Sequence, residues 1–267
     1  MPVLRISSWN VNGLRATVKA GTFQAWLAAT RPDIAGFQEV KATPDQVDGS
    51  AWRDLGYGEA WHTAERPGYS GVLLLYREPP LAIRPGLGIP EFDAEGRVIE
   101  ADYPAFTLLT AYFPNGGNKG ARLDYKFAFY DAFLARIDAL VAAGRPVVFM
   151  GDLNVAHLDI DVARPAEAIK GTGFLPAERA LLDRITEHGF VDTFRHCNGP
   201  IPGQYTYWEP WRERRARNIG WRIDYVWVSR DLVPALRGAF IEPGVMGSDH
   251  CPVGIDLEVP AVAASPG

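Results

Sequence analysis

Residues 147–157, VVFMGDLNVAH, decide the fold. The stretch begins with β-branched and aromatic residues, which is the composition of a strand buried on both faces. The apolar run ends at Gly151, and Asp152 and Asn154 follow at alternate positions. Alternate residues of a strand share a face, so these polar side chains can converge at the carboxyl end, where α/β sheets bind ligands. A lone Asp after a strand more often caps the following turn or helix than forms part of a site. Whether Asp152 belongs to a site therefore depends on which residues end the other strands.

Other predicted strands also begin or end at polar residues, nearly all of which carry a carboxylate or a carboxamide. Strands over residues 4–11, 34–38 and 223–228 bring the set to Asn10, Asn12, Glu39, Asp152, Asn154, Asp224, Asp249 and His250. Oxygen-rich sets favour hard cations such as Mg²⁺ or Mn²⁺, and five histidines in the chain argue against a three-histidine zinc centre. Because Mg²⁺ commonly binds one or two carboxylates together with a substrate phosphate, the residues point to phosphoester hydrolysis.

Composition indicates a globular protein with a large core. The chain has 267 residues, of which 47% are hydrophobic, and eight are Trp. Two cysteines, Cys197 and Cys251, are too few for a disulfide framework. The start predicts no secretory signal, and no uncharged apolar run reaches the ~18 residues of a membrane span. We therefore expect a cytoplasmic protein without membrane association, near the nucleoid if the source is bacterial.

Charge is unevenly distributed along the chain. The formal net charge is −5, which argues weakly against a polyanionic partner. However, residues 208–222, WEPWRERRARNIGWR, hold five Arg, two Glu and three Trp. Solvated loops rarely carry several tryptophans, so a simple charged loop explains this tract poorly.

The remaining pattern predicts alternating strands and helices without a linker. Helices are expected over about residues 14–30, 121–143 and 176–188, a loop over 165–174, and strands over 106–112, 190–194 and 253–259. No charge block or repeat divides the chain. We predict one catalytic domain over residues 1–259 and a disordered tail over 260–267.

Six motifs together resemble the exonuclease III/apurinic-apyrimidinic endonuclease family. They occur in the family order across residues 4 to about 259, and they are WNVNGLRA (9–16), QEVK (38–41), YFPN (112–115), GDLNVAH (151–157), GWRIDY (220–225) and SDHCPV (248–253). Ser-Asp-His occurs across the wider superfamily, including inositol phosphatases and sphingomyelinases, whereas the first and fifth motifs are typical of the DNA-repair branch. The resemblance implies an α/β (α+β) fold, a four-layered sandwich of two mixed β-sheets packed face to face with helices outside.

The resemblance also implies a catalytic group. His250 and Asp224 would form an imidazole–carboxylate pair, in which the carboxylate fixes the tautomer and supports the cation. Either His250 or Asp152 could activate water, and the sequence leaves that choice open. Asn154 would hold Asp152 and touch the phosphate, and Tyr112 would donate its hydroxyl to a phosphate or leaving oxygen.

The implied cofactor is Mg²⁺ or Mn²⁺. Glu39 is the strongest ligand candidate by resemblance, and the other members of the metal group are Asn10, Asp249, Asp152 and Asn154. A cation there would neutralise charge at the scissile phosphate. His157 is the last residue of the motif GDLNVAH and is expected to brace the loop.

The implied partner is double-stranded DNA that contains abasic sites or 3′ ends. Residues expected at the DNA-binding rim are Asn12, Lys41, Asn115, Arg122, Tyr125, Arg217 and Asn218. Tyr207, Trp221 and Ile223 would form an apolar pocket that admits an extrahelical abasic sugar and excludes a base. Trp211 would act as a wedge against the minor groove.

Two departures from the family pattern weaken the expected grip on DNA. Residues 163–173 lack much of the Lys and Asn content of many relatives, and Asn118 stands where some relatives insert an arginine. We therefore expect a shallow salt dependence and faster product release.

The function expected from the resemblance is Mg²⁺-dependent DNA repair. A monomeric phosphodiesterase would cut 5′ to abasic sites, leave a 3′-hydroxyl, and also act as a 3′-5′ exonuclease and 3′-phosphatase. A lipid or small-molecule phosphatase would share the metal group but would not need the tract 208–222. A non-catalytic DNA-binding module would not need all of Glu39, Asp152, Asn154, Asp224 and His250.

Overall fold

Two six-stranded β-sheets form the centre of the computed structural model, which describes residues 1–260. The strands of the first sheet, in spatial order, are β11 (Leu236–Ile241), β12 (Val253–Glu258), β1 (Val3–Asn10), β2 (Ile34–Gln38), β4 (Val72–Tyr76) and β3 (Gly58–His62). Those of the second sheet are β5 (Ala82–Pro85), β6 (Val98–Asp102), β7 (Thr107–Tyr112), β8 (Val147–Asp152), β10 (Asp224–Ser229) and β9 (Phe190–Asp192). Both sheets are mixed, since β1–β2 and β7–β8 are parallel and the other pairs are antiparallel.

Eight α-helices connect the strands. They are α1 (Leu14–Lys19), α2 (Thr22–Thr30), α3 (Ser50–Arg53), α4 (Pro90–Asp93), α5 (Leu123–Ala142), α6 (Pro165–Ala168), α7 (Pro176–Glu187) and α8 (Thr193–Asn198). Among the described residues, no helix is both long and apolar enough to cross a membrane.

Three apolar clusters separate four layers. Alternation along β8 shows the arrangement: Val148 and Met150 lie between the two sheets, while Val147 and Phe149 pack against α5 and α7. A third cluster, around Trp9, joins the outer face of the first sheet to the helices α1 to α3. This four-layered sandwich confirms the predicted fold class.

The structure corrects three sequence predictions of secondary structure. The single helix predicted over 14–30 is broken between α1 and α2, because Gly21 takes a left-handed conformation with φ of 74°. The predicted strand 190–194 stops at Asp192, whose side chain accepts a hydrogen bond from the Arg195 amide and caps α8. The predicted loop 165–174 contains α6. The predicted disordered tail lies, from residue 261 onward, outside the described residues.

Gly151 fixes the path of β8 next to the site. Its φ is 147°, and a Cβ atom there would lie 1.8 Å from the carbonyl oxygen of Ala111 on β7. A side chain is therefore excluded, because the strands approach too closely at this point. The tight contact sets Asp152 at the end of β8, one residue beyond the predicted end of the apolar run.

Candidate active site

The predicted polar residues meet at one edge of the two sheets. Asn10 ends β1, Glu39 follows β2, Asp152 ends β8, Asp224 begins β10, and His250 precedes β12. Because β10 runs antiparallel to β8, the start of one strand meets the end of the other, and Asp224 pairs directly with Asp152. The open space beside these residues is a pocket of about 360 Å³.

Asp152 and Asn154 converge, but by a turn and not by strand alternation. Asn154 lies beyond β8 in a left-handed conformation, with φ of 55°. Its backbone amide donates to Asp152 Oδ1 at 2.8 Å and its side-chain amide donates to Asp152 Oδ2 at 3.2 Å. The amide of Asn10 donates to the same Oδ2 at 2.9 Å. Asp152 is thus held from both sheets.

His250 and Asp224 form the predicted imidazole–carboxylate pair. His250 Nδ1 lies 2.9 Å from Asp224 Oδ2, and both side chains are buried. Burial disfavours the charged imidazole, but the Asp224 carboxylate outweighs it and raises the pKa of His250 to about 10. The Tyr207 ring lies 4.8 Å from the imidazole, centroid to centroid. This arrangement leaves Nε2 as the nitrogen that can face a substrate.

Asp152 binds a proton more tightly than an ordinary carboxylate does. Its burial, followed by the negative charge of Asp224, raises its pKa to about 8. Asp224 itself keeps one oxygen, Oδ1, buried without a hydrogen-bond partner among the described residues. An additional cation beside these carboxylates would relieve both features.

Glu39 stands opposite Asp152 and remains the more acidic group. Burial opposes its ionisation, yet the charge of Lys41 and a hydrogen bond from Asn10 together lower its pKa. The Asn10 amide lies 2.9 Å from Glu39 Oε1, and Lys41 Nζ lies 2.8 Å from Oε2. Asn10 therefore bridges Glu39 and Asp152 with one amide group.

The residues present fit a divalent cation. Glu39, Asp152 and His250 each offer a ligand atom, and these atoms lie within 4.8 Å of one another. Three carboxylates face one imidazole and the Lys41 ammonium, so the donor set has excess negative charge. His250 was not among the ligands predicted from the sequence, and its raised pKa keeps the imidazole protonated, so Glu39 and Asp152 are the members of this group that would hold the cation.

The other predicted ligands are engaged differently. Asn10 and Asn154 use their amide groups to hold carboxylates, as described above. Asp249 lies on the pocket wall outside the group of three, where it accepts from Asn12 Nδ2 at 3.0 Å.

Tyr112 ends β7 and lines the pocket. The residue that holds it in place, Arg97, was not predicted from the sequence. Burial and the nearby charges of Glu39 and Asp152 raise the pKa of Tyr112 well above its ordinary value. Arg97, only 2% exposed, places its guanidinium 4.7 Å from the Tyr112 ring centroid and donates to the Tyr112 carbonyl at 2.9 Å. A single Arg before an apolar strand gave no motif by which to find it.

The three residues predicted to accept an abasic sugar lie together in the structure. Tyr207, Trp221 and Ile223 line the same 360 Å³ pocket as Glu39, Asp152 and His250. Thr172, Gly173 and Glu209 also line it, and no sequence motif predicted them as site residues. They come from loops of irregular structure, so only the tertiary fold brings them there.

The predicted rim residues fall into two groups. Most are already engaged within the protein. Arg122 donates to Glu95 at 2.7 Å and to Tyr69 at 2.6 Å, Tyr125 lies under the Arg122 guanidinium, and Asn218 bridges Trp208 and Gly203. Asn12 and Lys41 hydrogen-bond each other, and Asn115 accepts from the Gly117 amide. Trp211 and Arg217 are exposed, Trp211 by 55%.

His157 braces the structure away from the reacting groups, as expected. Its Nε2 lies 2.8 Å from Asp183 Oδ1 on α7, and its carbonyl accepts from Arg179 at 2.8 Å.

The sandwich and its carboxylate–histidine pocket are typical of metal-assisted phosphoesterases. The chain matches the Endonuclease/Exonuclease/phosphatase family model over residues 7–250 and belongs to that family. Within it, the chain belongs to the exonuclease III/apurinic-apyrimidinic endonuclease group, so it is an enzyme of a DNA-repair nuclease family whose chemistry is metal-dependent.

Two relatives and one solved structure illustrate the similarity. The chain is 39% identical to the exodeoxyribonuclease of Bacillus subtilis, covering 96% of this chain and 100% of the relative. It is 40% identical to the DNA repair nuclease APEX1 of Danio rerio, covering 96% and 83%. The structure of the 3′ phosphatase NExo from Neisseria, bound to a product DNA hairpin, matches with a TM-score of 0.85 and 25% identity, covering 96% and 100%.

Proposed function

We propose that the chain is a Mg²⁺- or Mn²⁺-dependent phosphodiesterase that cuts duplex DNA 5′ to abasic sites and leaves a 3′-hydroxyl. The same site removes nucleotides and blocking groups, phosphate included, from 3′ ends. The observation that carries the proposal is the convergence of Glu39, Asp152 and His250 in a pocket whose far wall is Trp221 and Ile223. The names of the relatives, which include nucleases and a 3′ phosphatase, support it. A monomer in the cytoplasm completes the proposal.

The side chains supply the groups that phosphodiester hydrolysis needs. Water adds to phosphorus while the bond to the 3′-oxygen breaks, and that oxygen takes up a proton. Asp152, held by Asn10 and Asn154, orients the water and accepts its proton. His250, held by Asp224 and carrying a raised pKa, binds a phosphate oxygen as a cation.

Tyr112 and Glu39 complete the catalytic assignment. Tyr112 keeps its proton because its pKa is raised, so its hydroxyl can donate to the phosphate or the leaving oxygen. A divalent cation held by Glu39 and Asp152, when bound, supplies neutralisation of charge on the phosphate and leaving oxygen. Glu39 is suited to hold it because its lowered pKa keeps it ionised.

The rim positions the DNA in this proposal. An extrahelical sugar lies against Tyr207, Trp221 and Ile223, and Trp211 contacts the minor groove as a wedge. Lys41, Asn12, Asn115 and Asn218 contact backbone phosphates or sugars near the cut, and Arg217 contributes charge. Arg122 is paired with Glu95 and stacks on Tyr125. These two residues reach DNA only when DNA binding breaks that pairing.

The test is cleavage of a 5′-labelled duplex that contains one tetrahydrofuran abasic analogue, with Mg²⁺ or with EDTA. This analogue cannot undergo β-elimination, so only hydrolysis can cut it. We expect a metal-dependent cut on its 5′ side that Asp152→Asn reduces by about 10²-fold or more. Cleavage that is unaffected by Asp152→Asn would contradict the catalytic assignment. Failure to cut any DNA, with activity on a lipid phosphoester, would favour a phosphatase of the wider superfamily.

A further inference from the structure

Thr206 is a buried residue next to the wall of the pocket. It has no exposed surface and does not line the pocket, whereas the following residue, Tyr207, does. Tyr207 forms isolated β-bridges with Trp221 on one side and with His250 on the other. Thr206 therefore lies where the segment that carries the pocket wall meets the segment that carries the imidazole.

The hydroxyl of Thr206 holds the start of β10. Its oxygen accepts hydrogen bonds from the backbone amides of Ile223, at 3.0 Å, and of Asp224, at 3.1 Å, and both bonds are buried. Buried amides that lose their acceptor are costly, so this oxygen constrains the path by which the chain enters β10. The Asp224 side chain extends from this point to His250 Nδ1.

The backbone of Thr206 holds the other segments of the site. Its carbonyl accepts from the amide of Cys251, the residue after His250, at 2.8 Å. Its amide donates to the Trp221 carbonyl, also at 2.8 Å. One residue is thus bonded to both segments that carry the imidazole–carboxylate pair. The relative position of those segments sets the 2.9 Å distance within the pair.

The Asp224 carboxylate has little side-chain support of its own. Its Oδ2 lies against His250, and its Oδ1 has no hydrogen-bond partner among the described residues. The orientation of this carboxylate therefore depends on the backbone at its base, which is the backbone that the Thr206 hydroxyl holds.

We infer that Thr206 is a positioning residue for phosphodiester hydrolysis. Its hydroxyl aligns the Asp224 carboxylate with His250, and His250 in turn meets the phosphate. The inference rests on the proposed function and adds to it a residue that touches neither DNA nor cation. Misplacing a reacting group by about 1 Å can cost about 10²-fold in rate, so a lost hydroxyl at this point should reduce the rate of cleavage more than the binding of DNA.

Three variants separate this role from a general contribution to stability. Thr206→Val removes the hydroxyl and keeps the branched shape, whereas Thr206→Ser keeps the hydroxyl. Thr193→Val is the matched control, because Thr193 is also buried and its hydroxyl also bonds to β10, donating to the Val226 carbonyl at 2.7 Å. Val226 lies between the two sheets and does not line the pocket, so the control weakens the same strand away from the pair.

The experiment measures single-turnover cleavage of the tetrahydrofuran duplex in Mg²⁺, with the full chain in saturating excess, and Kd for the same duplex in EDTA. We expect Thr206→Val to slow cleavage at least about ten-fold with little change in Kd. Thr206→Ser and Thr193→Val should cleave at rates close to that of the wild type. A loss caused only by a weakened fold would appear in Thr193→Val as well.

The other outcomes decide against the inference. A wild-type rate in Thr206→Val, or equal slowing in Thr193→Val or in Thr206→Ser, overturns it while the proposed function stands. A wild type that cuts no DNA overturns the proposed function together with the inference.

A further variant guards against misfolding of Thr206→Val. Should the melting temperature of Thr206→Val fall below the temperature of the assay, Thr206→Ala serves instead, because it removes the hydroxyl without placing a methyl group against the two amides. It should cleave at least about ten-fold more slowly than Thr206→Ser. Equal rates in these two variants would overturn the inference.

Discussion

At the scale of single residues, Glu39 is the group on which cation binding should depend most. It is the site carboxylate whose pKa is lowered. Its carboxylate oxygen lies within 4.8 Å of a ligand atom of Asp152 and of His250. We predict that millimolar Mg²⁺ raises the melting temperature of the wild type, since a ligand that binds only the folded state stabilises it. Glu39→Gln should lose most of this increase.

The measurement is thermal unfolding with Mg²⁺ and with EDTA, without substrate. Glu91→Gln is the matched control, because Glu91 is an exposed carboxylate on α4. The same Mg²⁺ response in Glu39→Gln and wild type would remove Glu39 from the ligand set.

Residue chemistry was largely predictable from the sequence, but residue conformation was not. The motifs predicted which carboxylates, amides and imidazole meet. However, Asn12, Glu39, Lys41 and Asn154 all have left-handed φ values between 43° and 55°. Such conformations are uncommon outside glycine, and strand periodicity contains no information about them. The sequence therefore predicted the convergence of Asp152 and Asn154 for a wrong geometric reason.

At the scale of elements, a buried ion pair joins the helices to the site. Lys126 on α5 and Glu178 on α7 are both fully buried and form a salt bridge of 2.5 Å. Lys126 also donates to the Asn154 carbonyl at 2.9 Å, and Glu178 accepts from the Gly173 amide at 2.6 Å. The pair thus fixes the Asn154 turn and the Gly173 wall of the pocket at once.

Removing one member of this pair should cost both stability and catalysis. Lys126→Met leaves Glu178 buried without a cation, which should lower the free energy of unfolding by about 3–5 kcal/mol. The double variant Lys126→Met/Glu178→Leu should regain much of that stability, since no charge is left unpaired. It should nevertheless stay slow in kcat, because the Asn154 carbonyl and the Gly173 amide have lost their partners.

Urea unfolding and steady-state kinetics on the tetrahydrofuran duplex test this pair of effects. If the double variant recovered kcat along with stability, the ion pair would be a stabilising contact only.

A second buried cluster should control stability in acid. Asp161 is fully buried, and it binds Arg222 at 2.8 Å and also Arg195. Burial opposes its ionisation, but the two arginines outweigh it and hold the pKa of Asp161 below its ordinary 3.8. The unfolded chain therefore binds this proton more readily than the folded one, and the stabilisation is present above about pH 4 and disappears as pH falls through the folded pKa.

We predict that Asp161→Asn lowers the free energy of unfolding at pH 7 by about 3–5 kcal/mol. The difference from wild type should shrink below pH 4, where the wild-type carboxylate also becomes neutral. Urea titrations at pH 7 and at successively lower pH values measure it. A difference that stayed constant down to the acid limit would show that Asp161 acts by shape and not by charge.

Helices and strands were predicted well where a hydrophobic pattern runs through the whole element. They were predicted poorly where a single residue breaks or caps the element. The strands β2 and β8 followed from continuous apolar runs, and the helices α5 and α7 followed from their helical patterns. The break at Gly21 and the start of α8 depend on one left-handed residue and one capping Asp. One glycine or one capping Asp is a weaker signal in a sequence than the hydrophobic pattern of the residues around it.

At the scale of the whole molecule, the layers follow from strands that are apolar on both faces. A strand like β8 must be covered on each side, and the resemblance to the family implied that a second sheet covers one face and helices cover the other. What the sequence could not predict is which charges remain available. That depends on pairings between distant segments, such as Arg122 with Glu95.

The basic tract shows how pairing reduces the usable charge. Arg214 is paired with Glu209, Arg215 donates to the carbonyls of Ser248 and Val245, and Arg222 is buried with Asp161. Among the described residues, Arg212 and Arg217 are the tract's exposed arginines without an ion-pair partner. With a net charge of −5, few cations are left to hold DNA phosphates.

We therefore predict a shallow salt dependence of binding to abasic duplex DNA, measured by fluorescence anisotropy in EDTA. Each phosphate contact contributes about 0.9 to the slope of log K against log salt, so Arg212→Ala/Arg217→Ala should lower the slope by about 2. Lys19→Ala/Arg31→Ala is a control, because Lys19 ends α1 and Arg31 directly follows α2, both outside the pocket. Its slope should equal that of wild type. A double variant of the tract that bound more weakly with an unchanged slope would mean that Arg212 and Arg217 shape the loop beside Trp211 without touching phosphates.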